Sequence, residues 1–314
     1  MTSLLCKSLA AGWLLAAVTA LPLTRAAAQP VGEGPLVLRL PVSARTLALG
    51  NTHLVSNDGD ALFGNPALLT AARGLSASLQ SYGAAATGGA LANLTAIGST
   101  YVGVGLQHLT WRSPTARYDD AVFPGATQLS DGGAITAGSN AFTLGVARTI
   151  KGLRLGASVK FAEDRLGNAG DGTVAFDLGL VRPMGPTSLS IVAQNLGVGP
   201  RLGGVSGTLP RRIGVGIGTA PYAFSDHWDL VGQAQLTLEG DLFVRPAGGM
   251  ELLYVPVEGV ALALRHGFRL PRERDESLVT AGLGLTVDRL SFDYALEPMR
   301  GGRPVSHRVG IRLR

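Results

Sequence analysis

Apolar and polar residues alternate one by one along most of the chain after residue 73. In residues 153–161 every odd-numbered position is apolar, and the even-numbered positions carry Arg154, Gly156, Ser158 and Lys160. Residues 260–268, 279–287 and 290–296 repeat this pattern. A period of two is typical of a β-strand with one apolar face. The sequence therefore predicts an all-β structure from residue 74 onward.

Fourteen segments of this kind can be counted along the chain. Most are about 8–11 residues long, which is enough to cross a membrane when strands are tilted. An even number of antiparallel strands is what a closed barrel of the bacterial outer membrane requires. We therefore expect a 14-stranded antiparallel transmembrane β-barrel, with strands at residues 74–82, 89–96, 100–110, 138–150, 152–165, 172–182, 186–196, 210–220, 227–237, 243–252, 258–267, 278–287, 289–297 and 306–313.

The connections between these segments alternate in length. Every second connection is short. Most of the connections between them are longer, and the two at 83–88 and 238–242 are short exceptions. Long outer loops and short periplasmic turns are typical of outer-membrane barrels and place the N-terminus in the periplasm. The predicted periplasmic turns are 97–99, 151, 183–185, 221–226, 253–257 and 288, and the long outer loops are 111–137, 197–209 and 268–277.

The loop at 111–137 is too long to be a mere connection. It contains Trp111, Tyr118 and Phe123 together with an Asp119-Asp120 pair. It is expected to be either a cap over the pore or a surface for protein docking, and the sequence does not choose between them.

Composition agrees with a strand-built membrane protein. Charged residues make up only 16% of the chain and hydrophobic residues 46%, whereas a soluble domain carries about 25% charged residues. No stretch of about 20 apolar residues follows the leader, so no spanning helix is predicted. Scattered apolar character of this kind can be accommodated by the strands of a barrel.

The first 28 residues have the features of a cleaved signal peptide. Lys7 gives the positive start, residues 9–21 the apolar stretch, and Ala26-Ala27-Ala28 a cleavage site with small residues. The single cysteine, Cys6, lies within this leader, so the mature chain is expected to contain no thiol or disulfide. Export to the bacterial outer membrane is therefore predicted.

Residues 29–73 differ from the rest because they lack the alternation. Asn65 is a favourable N-cap and Pro66 suits the first position of a helix. We expect short helical turns here, forming an N-terminal plug. The predicted organisation is thus a signal peptide at 1–28, a plug segment at 29–73 and the barrel at 74–314.

Charged residues in the strands fall on the small or polar face. A Lys or Arg facing lipid at mid-membrane costs about 2–4 kcal/mol, so this face is assigned to the lumen. Glycines on the same face either leave room beside the charges or allow close packing of a plug. The charges could line a polar pathway or form ion pairs that fix barrel and plug. They are Arg154, Lys160, Asp177, Arg212, Arg265, Asp293 and Arg312.

Several motifs together resemble a known family of barrels. The N-terminal ones are residues 41–45, the Leu49-Gly50 step, the acidic stretch 58–60 and the turn 65–69. The later ones are residues 155–160, 176–180, 194–197, 264–268, 282–285 and 292–295, followed by His307-Arg308. In this order the chain resembles the PorV/PorQ family of FadL-like outer-membrane barrels over nearly its whole mature length.

This resemblance implies a 14-stranded barrel with an N-terminal plug, and two functions remain open. One is the passage of small hydrophobic molecules, with movement of the plug. The other is a docking or shuttle role for exported proteins in type IX secretion. Asn65, Pro66 and Ala67 match the turn of the plug, although helix capping and anchoring alone would also explain them.

Other chemistry is not predicted by the sequence. The histidines lack metal-ligand spacing, the glycines are not followed by the Gly-Lys-Ser/Thr of a phosphate loop, and no nucleophile elbow is convincing. Basic residues do not cluster with aromatics, so nucleic-acid binding is not expected. We therefore expect a protein that is not an enzyme, has no cofactor or metal, and has outer-membrane lipid as its surroundings.

Overall fold

A computed structural model describes residues 34–56, 58–83, 86–113, 135–167, 169–202, 205–274, 276–301 and 304–314. The signal peptide expected at residues 1–28 lies outside these residues. So do residues 114–134, which make up most of the loop predicted at 111–137. The expectations for both segments stay predictions.

The described residues form a closed antiparallel barrel of 14 strands, as predicted. The strands are β1 Gly74–Ser81, β2 Ala86–Ile97, β3 Thr100–Ser113, β4 Ile135–Ile150, β5 Leu153–Leu166, β6 Ala169–Met184, β7 Thr187–Gly197, β8 Arg212–Thr219, β9 Trp228–Glu239, β10 Val244–Val257, β11 Val260–Arg269, β12 Val279–Val287, β13 Leu290–Glu297 and β14 Ser306–Leu313. Each strand pairs with its neighbours in sequence, and β1 closes the barrel on β14 with Leu75 opposite Leu313.

Two predicted turns are wrong in part. Residues 222–225, expected in a turn, continue β8 beyond Pro221 and pair with β9. Pro221 has no N–H for the ladder, so it interrupts the strand without ending it. Likewise β10 runs on to Val257 after a register shift, and the turn that follows contains only residues 258–259.

Connection length is also less regular than predicted. β5 ends at Leu166 and β6 begins at Ala169, so the fifth connection is a third short one on the end with longer loops. The strands there extend further than the sequence indicated, since polar residues 163–165 continue the ladder opposite residues 170–172. The opposite end of the barrel carries tight turns throughout.

The two faces of the wall differ sharply in exposure. In β11, Leu264 is 57% exposed on the outside while Arg265 is 4% exposed on the inside. At least one large apolar side chain on each of the fourteen strands is exposed to the outside. A continuous apolar belt of this kind is not stable in water and fits contact with lipid.

The N-terminal segment lies inside the barrel. It contains a 3₁₀ helix at Leu36–Arg39, helix α1 at Ala44–Ala48, helix α2 at Ala61–Gly64 and a second 3₁₀ helix at Pro66–Thr70. In the described part of the chain, no helix has the length and apolar character needed to cross a membrane. We call residues 34–73 the plug.

Candidate functional site: the plugged lumen

Close contact with glycines in the wall lets the plug fill the lumen. A Cβ built on Gly267 of β11 would lie 1.9 Å from the backbone nitrogen of Gly50. One built on Gly156 of β5 would lie 2.3 Å from the backbone nitrogen of Ala67. Only glycine fits where two backbones approach so closely. Of the two roles open for the lumen glycines, close packing of the plug applies at these positions.

Gly284 of β12 shows the other role. A Cβ at Gly284 would lie 2.7 Å from an Nη atom of Arg265 and 2.9 Å from an Oδ atom of Asp293. Arg265 lies on β11 and Asp293 on β13, so their side chains meet across the intervening strand. The missing side chain of Gly284 therefore leaves the space in which this ion pair forms.

Asn65 ties the plug together at its turn. Its Oδ1 accepts a hydrogen bond from the Ala67 backbone N–H at 3.1 Å, and its Nδ2 donates to the Leu54 carbonyl at 3.0 Å. Asn65 and Ala67 are fully buried, and Pro66 opens the second 3₁₀ helix. Capping and anchoring are thus both visible in the geometry of residues 65–67.

Replacing Asn65 by alanine is expected to destabilise the plug by about 1–3 kcal/mol, because it removes a cap and leaves the buried Leu54 carbonyl without its donor. Limited proteolysis by trypsin, which cleaves after Arg45 only when the plug opens, measures this change. Asn93→Ala on the exposed outer face is the matched control. Equal digestion of both variants would contradict the anchoring role.

Six charges, five of them buried and Arg45 partly buried, form a closed ring between the plug and the wall, which we call the ion ring. From the plug, Arg45 contacts Glu251 at 2.9 Å and Asp58 at 3.3 Å. On the wall, Arg265 contacts Glu251 and, at 2.6 Å, Asp293. Arg312 completes the ring, lying 3.1 Å from Asp293 and 3.6 Å from Asp58.

The ion ring balances three arginines against three carboxylates. Burial alone would raise the pKa of Asp58, but the guanidinium groups of Arg45 and Arg312 hold it below its usual value. Each charge touches two opposite charges, so every member offsets part of the desolvation cost of its neighbours. The ring therefore fixes the Arg45–Asp58 part of the plug to β10, β11, β13 and β14.

A second buried pair lies on the opposite wall. Lys160 of β5 is 2.7 Å from Asp177 of β6, and both are at most 2% exposed. Asp177 also accepts a hydrogen bond from the backbone N–H of Asn195, where β7 bulges and adopts a positive φ of 55°. Lys160 donates to the Phe63 carbonyl at 3.5 Å, which connects this pair to the plug.

The structure thus places five of the seven charges predicted to face the lumen in two groups of ion pairs. Arg265, Asp293 and Arg312 belong to the ion ring, and Lys160 pairs with Asp177. Arg212 donates to the Leu38 carbonyl of the plug and, among the described residues, forms no ion pair with either group. Arg154 is half-buried near the end of the barrel with tight turns.

Sequence reasoning missed the partners that complete the ion ring. Glu251 follows Met250, which faces outward on β10. The alternation along this strand could therefore have indicated that the Glu251 carboxylate faces the lumen. Arg45 and Asp58 stand in a segment without alternation, and nothing in the sequence indicates where they point.

Asp60 is a buried carboxyl group beside the ion ring. It is 1% exposed, and its Oδ2 accepts hydrogen bonds from Ser43 Oγ at 2.5 Å and from Thr46 Oγ1. Its Oδ1 has no hydrogen-bond partner among the described residues. Burial, helped by the nearby Asp58 carboxylate, raises the pKa of Asp60 to about 7.

Asp60 should make the plug more stable in acid. The folded protein holds this proton more tightly than the unfolded chain, where the pKa is 3.8. This contribution is complete below about pH 4 and is lost as the pH rises to about 7, which amounts to roughly 2–3 kcal/mol between pH 5 and pH 8. Asp60→Asn is expected to remove that difference.

Urea unfolding at pH 5 and pH 8 in detergent measures the Asp60 effect. The exposed turn residue Asp226, replaced by asparagine, is the control and should keep the pH dependence of the unaltered protein. An equal pH dependence in Asp60→Asn would show that Asp60 does not titrate in this range.

Little space remains between the plug and the wall inside the barrel. Two small cavities, of about 20 and 10 Å³, lie between plug and wall next to Asp60 and Phe63. A cavity of about 310 Å³ opens at the end with the longer connections. No group of three or more potential metal ligands occurs among the residues that the structure describes.

Comparison with known proteins identifies relatives in structure only. No family model and no curated protein sequence matches the chain. The toluene transporter TbuX of Ralstonia pickettii superimposes with a TM-score of 0.58 at 14% identity, covering 88% of this chain and 100% of TbuX.

Two further solved structures agree with this likeness. The monoaromatic hydrocarbon channel CymD has a TM-score of 0.59 at 10% identity, covering 89% of this chain and 98% of CymD. A FadL homologue of Pseudomonas aeruginosa has a TM-score of 0.53 at 11% identity, covering 86% and 97%. At these identities the comparison establishes a FadL-like barrel fold.

Proposed function

We propose that the chain is an outer-membrane channel, without enzymatic activity, that passes small hydrophobic molecules across the outer membrane. The observation that carries this proposal is the FadL-like fold along the whole barrel, shared with a toluene transporter and a monoaromatic hydrocarbon channel. The apolar belt on all strands supports a location in a lipid bilayer. Export by the predicted signal peptide at residues 1–28 is part of the proposal.

Passage through this barrel needs movement of the plug. The cavities of about 20 and 10 Å³ beside the plug are smaller than a toluene molecule, so they offer it no path. The ion ring and the backbone contacts at Gly156 and Gly267 hold the plug shut. We therefore propose a closed resting state in which residues 34–73 shift when a molecule passes.

A reversible lock on the plug tests this proposal. A Cβ built on Gly310 would lie 3.6 Å from the Cβ of Ala44, within the range that a disulfide spans. The only natural cysteine is Cys6, in the predicted leader, so Ala44→Cys with Gly310→Cys should form one defined bond. Uptake of radiolabelled toluene is compared in cells making the oxidised and the reduced double variant, with Ala44→Cys alone as control.

The expected result is uptake in the reduced double variant and in the control, and its loss on oxidation. Uptake that survives oxidation would mean that the plug does not gate the passage. The absence of uptake in every variant, and in the unaltered protein, would overturn the channel proposal.

A second function is favoured by the sealed lumen. Because the described interior leaves almost no free space, the barrel could serve as a rigid platform at the outer membrane. This fits the PorV/PorQ resemblance and a docking or shuttle role in a type IX-like secretion system. Isolation of the tagged protein from its own cells should then recover an exported protein, and cells lacking the barrel should fail to release it.

A further inference from the structure

The cavity at the end of the barrel with the longer connections, which we call the outer mouth, is lined by many charged residues. It measures about 310 Å³, at the lower end of the range for small-molecule sites. Its walls come from the plug around Arg39 and Leu40 and from the connections at the end with longer loops. A purely hydrophobic molecule in the cavity would remove water from these charges without replacing its hydrogen bonds, which is unfavourable.

Positive charge exceeds negative charge in this cavity. Six arginines and four glutamates line it, a surplus of two positive charges among the described residues. The arginines are Arg39, Arg211, Arg212, Arg245, Arg269 and Arg272, and the glutamates are Glu239, Glu273, Glu276 and Glu297. An anion is therefore attracted to the cavity and a cation is repelled.

The glutamates are all engaged by other arginines of the cavity. Glu276 lies 2.6 Å from Arg245, and Glu273 lies 3.4 Å from Arg39. Glu239 contacts Arg272, and Glu297 contacts Arg269. Each carboxylate thus has an arginine within ion-pair distance, and the cavity still has two more arginines than carboxylates.

Arg211 and Arg212 lie outside these ion pairs, and Arg212 interacts with the Glu239 carboxylate only through space. Arg211 donates to the Gly197 carbonyl at 2.6 Å, and Arg212 donates to the Leu38 carbonyl of the plug. In the described part of the chain neither forms an ion pair with a carboxylate. Each guanidinium has five N–H donors, so both retain donors for a planar anion such as a carboxylate.

Apolar side chains complete the lining and define the rest of the ligand. Leu36, Leu40 and Pro41 of the plug face the cavity together with Pro210 and Met299 of the wall. We infer that the outer mouth is a binding site for small organic carboxylates with a short apolar body, held by Arg211 and Arg212. Arg212 also lines the inner cavity beside Lys160, so the site lies directly above the plug.

The role of this site at the entrance of the transport pathway rests on the proposed channel function. Binding itself can be measured without transport. Isothermal titration of the purified protein in nonionic detergent at low salt uses benzoate as the probe and benzyl alcohol as the uncharged control of similar shape. Heat released by detergent alone is subtracted.

We expect benzoate to bind at least about tenfold more tightly than benzyl alcohol, because a charge-assisted hydrogen bond is stronger than a neutral one. Arg211→Gln and Arg212→Gln should each weaken benzoate binding about tenfold. Arg154→Gln removes a lumen charge at the opposite end and should bind benzoate as the unaltered protein does. Raising the salt concentration should weaken binding.

Arg211 is exposed, so Arg211→Gln is expected to fold and keeps the test decisive if Arg212→Gln does not. Equal binding of benzoate and benzyl alcohol, or unchanged binding by Arg211→Gln, would overturn the inference. Toluene uptake without benzoate binding would overturn the carboxylate site but not the channel function. Benzoate binding without toluene uptake would support the carboxylate site and overturn the channel function.

Discussion

Replacing Glu251 by glutamine is expected to lower the free energy of unfolding by about 3–5 kcal/mol, because it leaves a buried ion network with an unmatched cation. Glu251 is 5% exposed and is shared by Arg45 of the plug and Arg265 of the wall. Glutamine keeps the shape of the side chain and one acceptor but removes the charge. The loss should therefore appear both in barrel stability and in attachment of the plug.

Urea unfolding from lipid vesicles, followed by the fluorescence of Trp111 and Trp228, measures this loss. The control is Glu163→Gln, which breaks the pair with Arg165 at 2.7 Å on an exposed edge. Exposed pairs contribute about 0–1 kcal/mol, so this variant should unfold almost as the unaltered protein does. Similar small losses for both variants would show that the ion ring does not hold the plug.

Replacing Gly267 by alanine is expected to drive the plug away from the wall. The new Cβ would lie 1.9 Å from the Gly50 nitrogen and 2.3 Å from the Leu49 carbonyl carbon, and backbone atoms cannot turn aside as a side chain can. Overpacking of cores costs about 1–3 kcal/mol, which raises the displaced fraction roughly 5- to 150-fold. Gly50 has a φ of 71°, which further limits how this segment can adjust.

Planar-bilayer conductance and trypsin cleavage after Arg45 both report the displaced plug. Gly232→Ala on β9 is the matched control, because no heavy atom lies within 4 Å of its built Cβ. Gly267→Ala should conduct ions and lose its N-terminal segment to trypsin, whereas Gly232→Ala should do neither. A closed, resistant Gly267→Ala would show that the wall adjusts and that glycine at 267 is not required for the plug.

Strand number and the direction of each face could be predicted from the sequence. The alternation in β5 indicates which face meets lipid, because Leu153, Leu155 and Phe161 lie on one side and Lys160 on the other. A period of two is a local property of the chain and can be seen in the sequence. The turns at 221–226 and 253–257 were predicted less well. Proline and a bulge interrupt the alternation there while pairing with the next strand continues.

The candidate site was predicted only in part. Arg265, Asp293 and Arg312 were expected in the lumen, but their partners depend on register: Glu251 lies opposite Arg265 across β10 and β11. Arg265 reaches Asp293 only because Gly284 of β12 lies between them. Such ion pairs join residues on different strands. Which residues meet depends on the register between the strands, and the local sequence pattern of a single strand does not contain it.

The sequence by itself determined a chain of alternating strands with charge on one face, because lipid excludes charge from the other. It also indicated that residues before 74 do not belong to the wall. Only the tertiary structure decided that Arg45 and Asp58 close an ion ring with the wall, that glycines such as Gly156 admit the plug backbone, and that Arg211 and Arg212 lie at the mouth outside the ion pairs of the described residues. These features arise where segments far apart in sequence meet inside a closed barrel, and their energies come from burial and distance, which the order of residues does not contain.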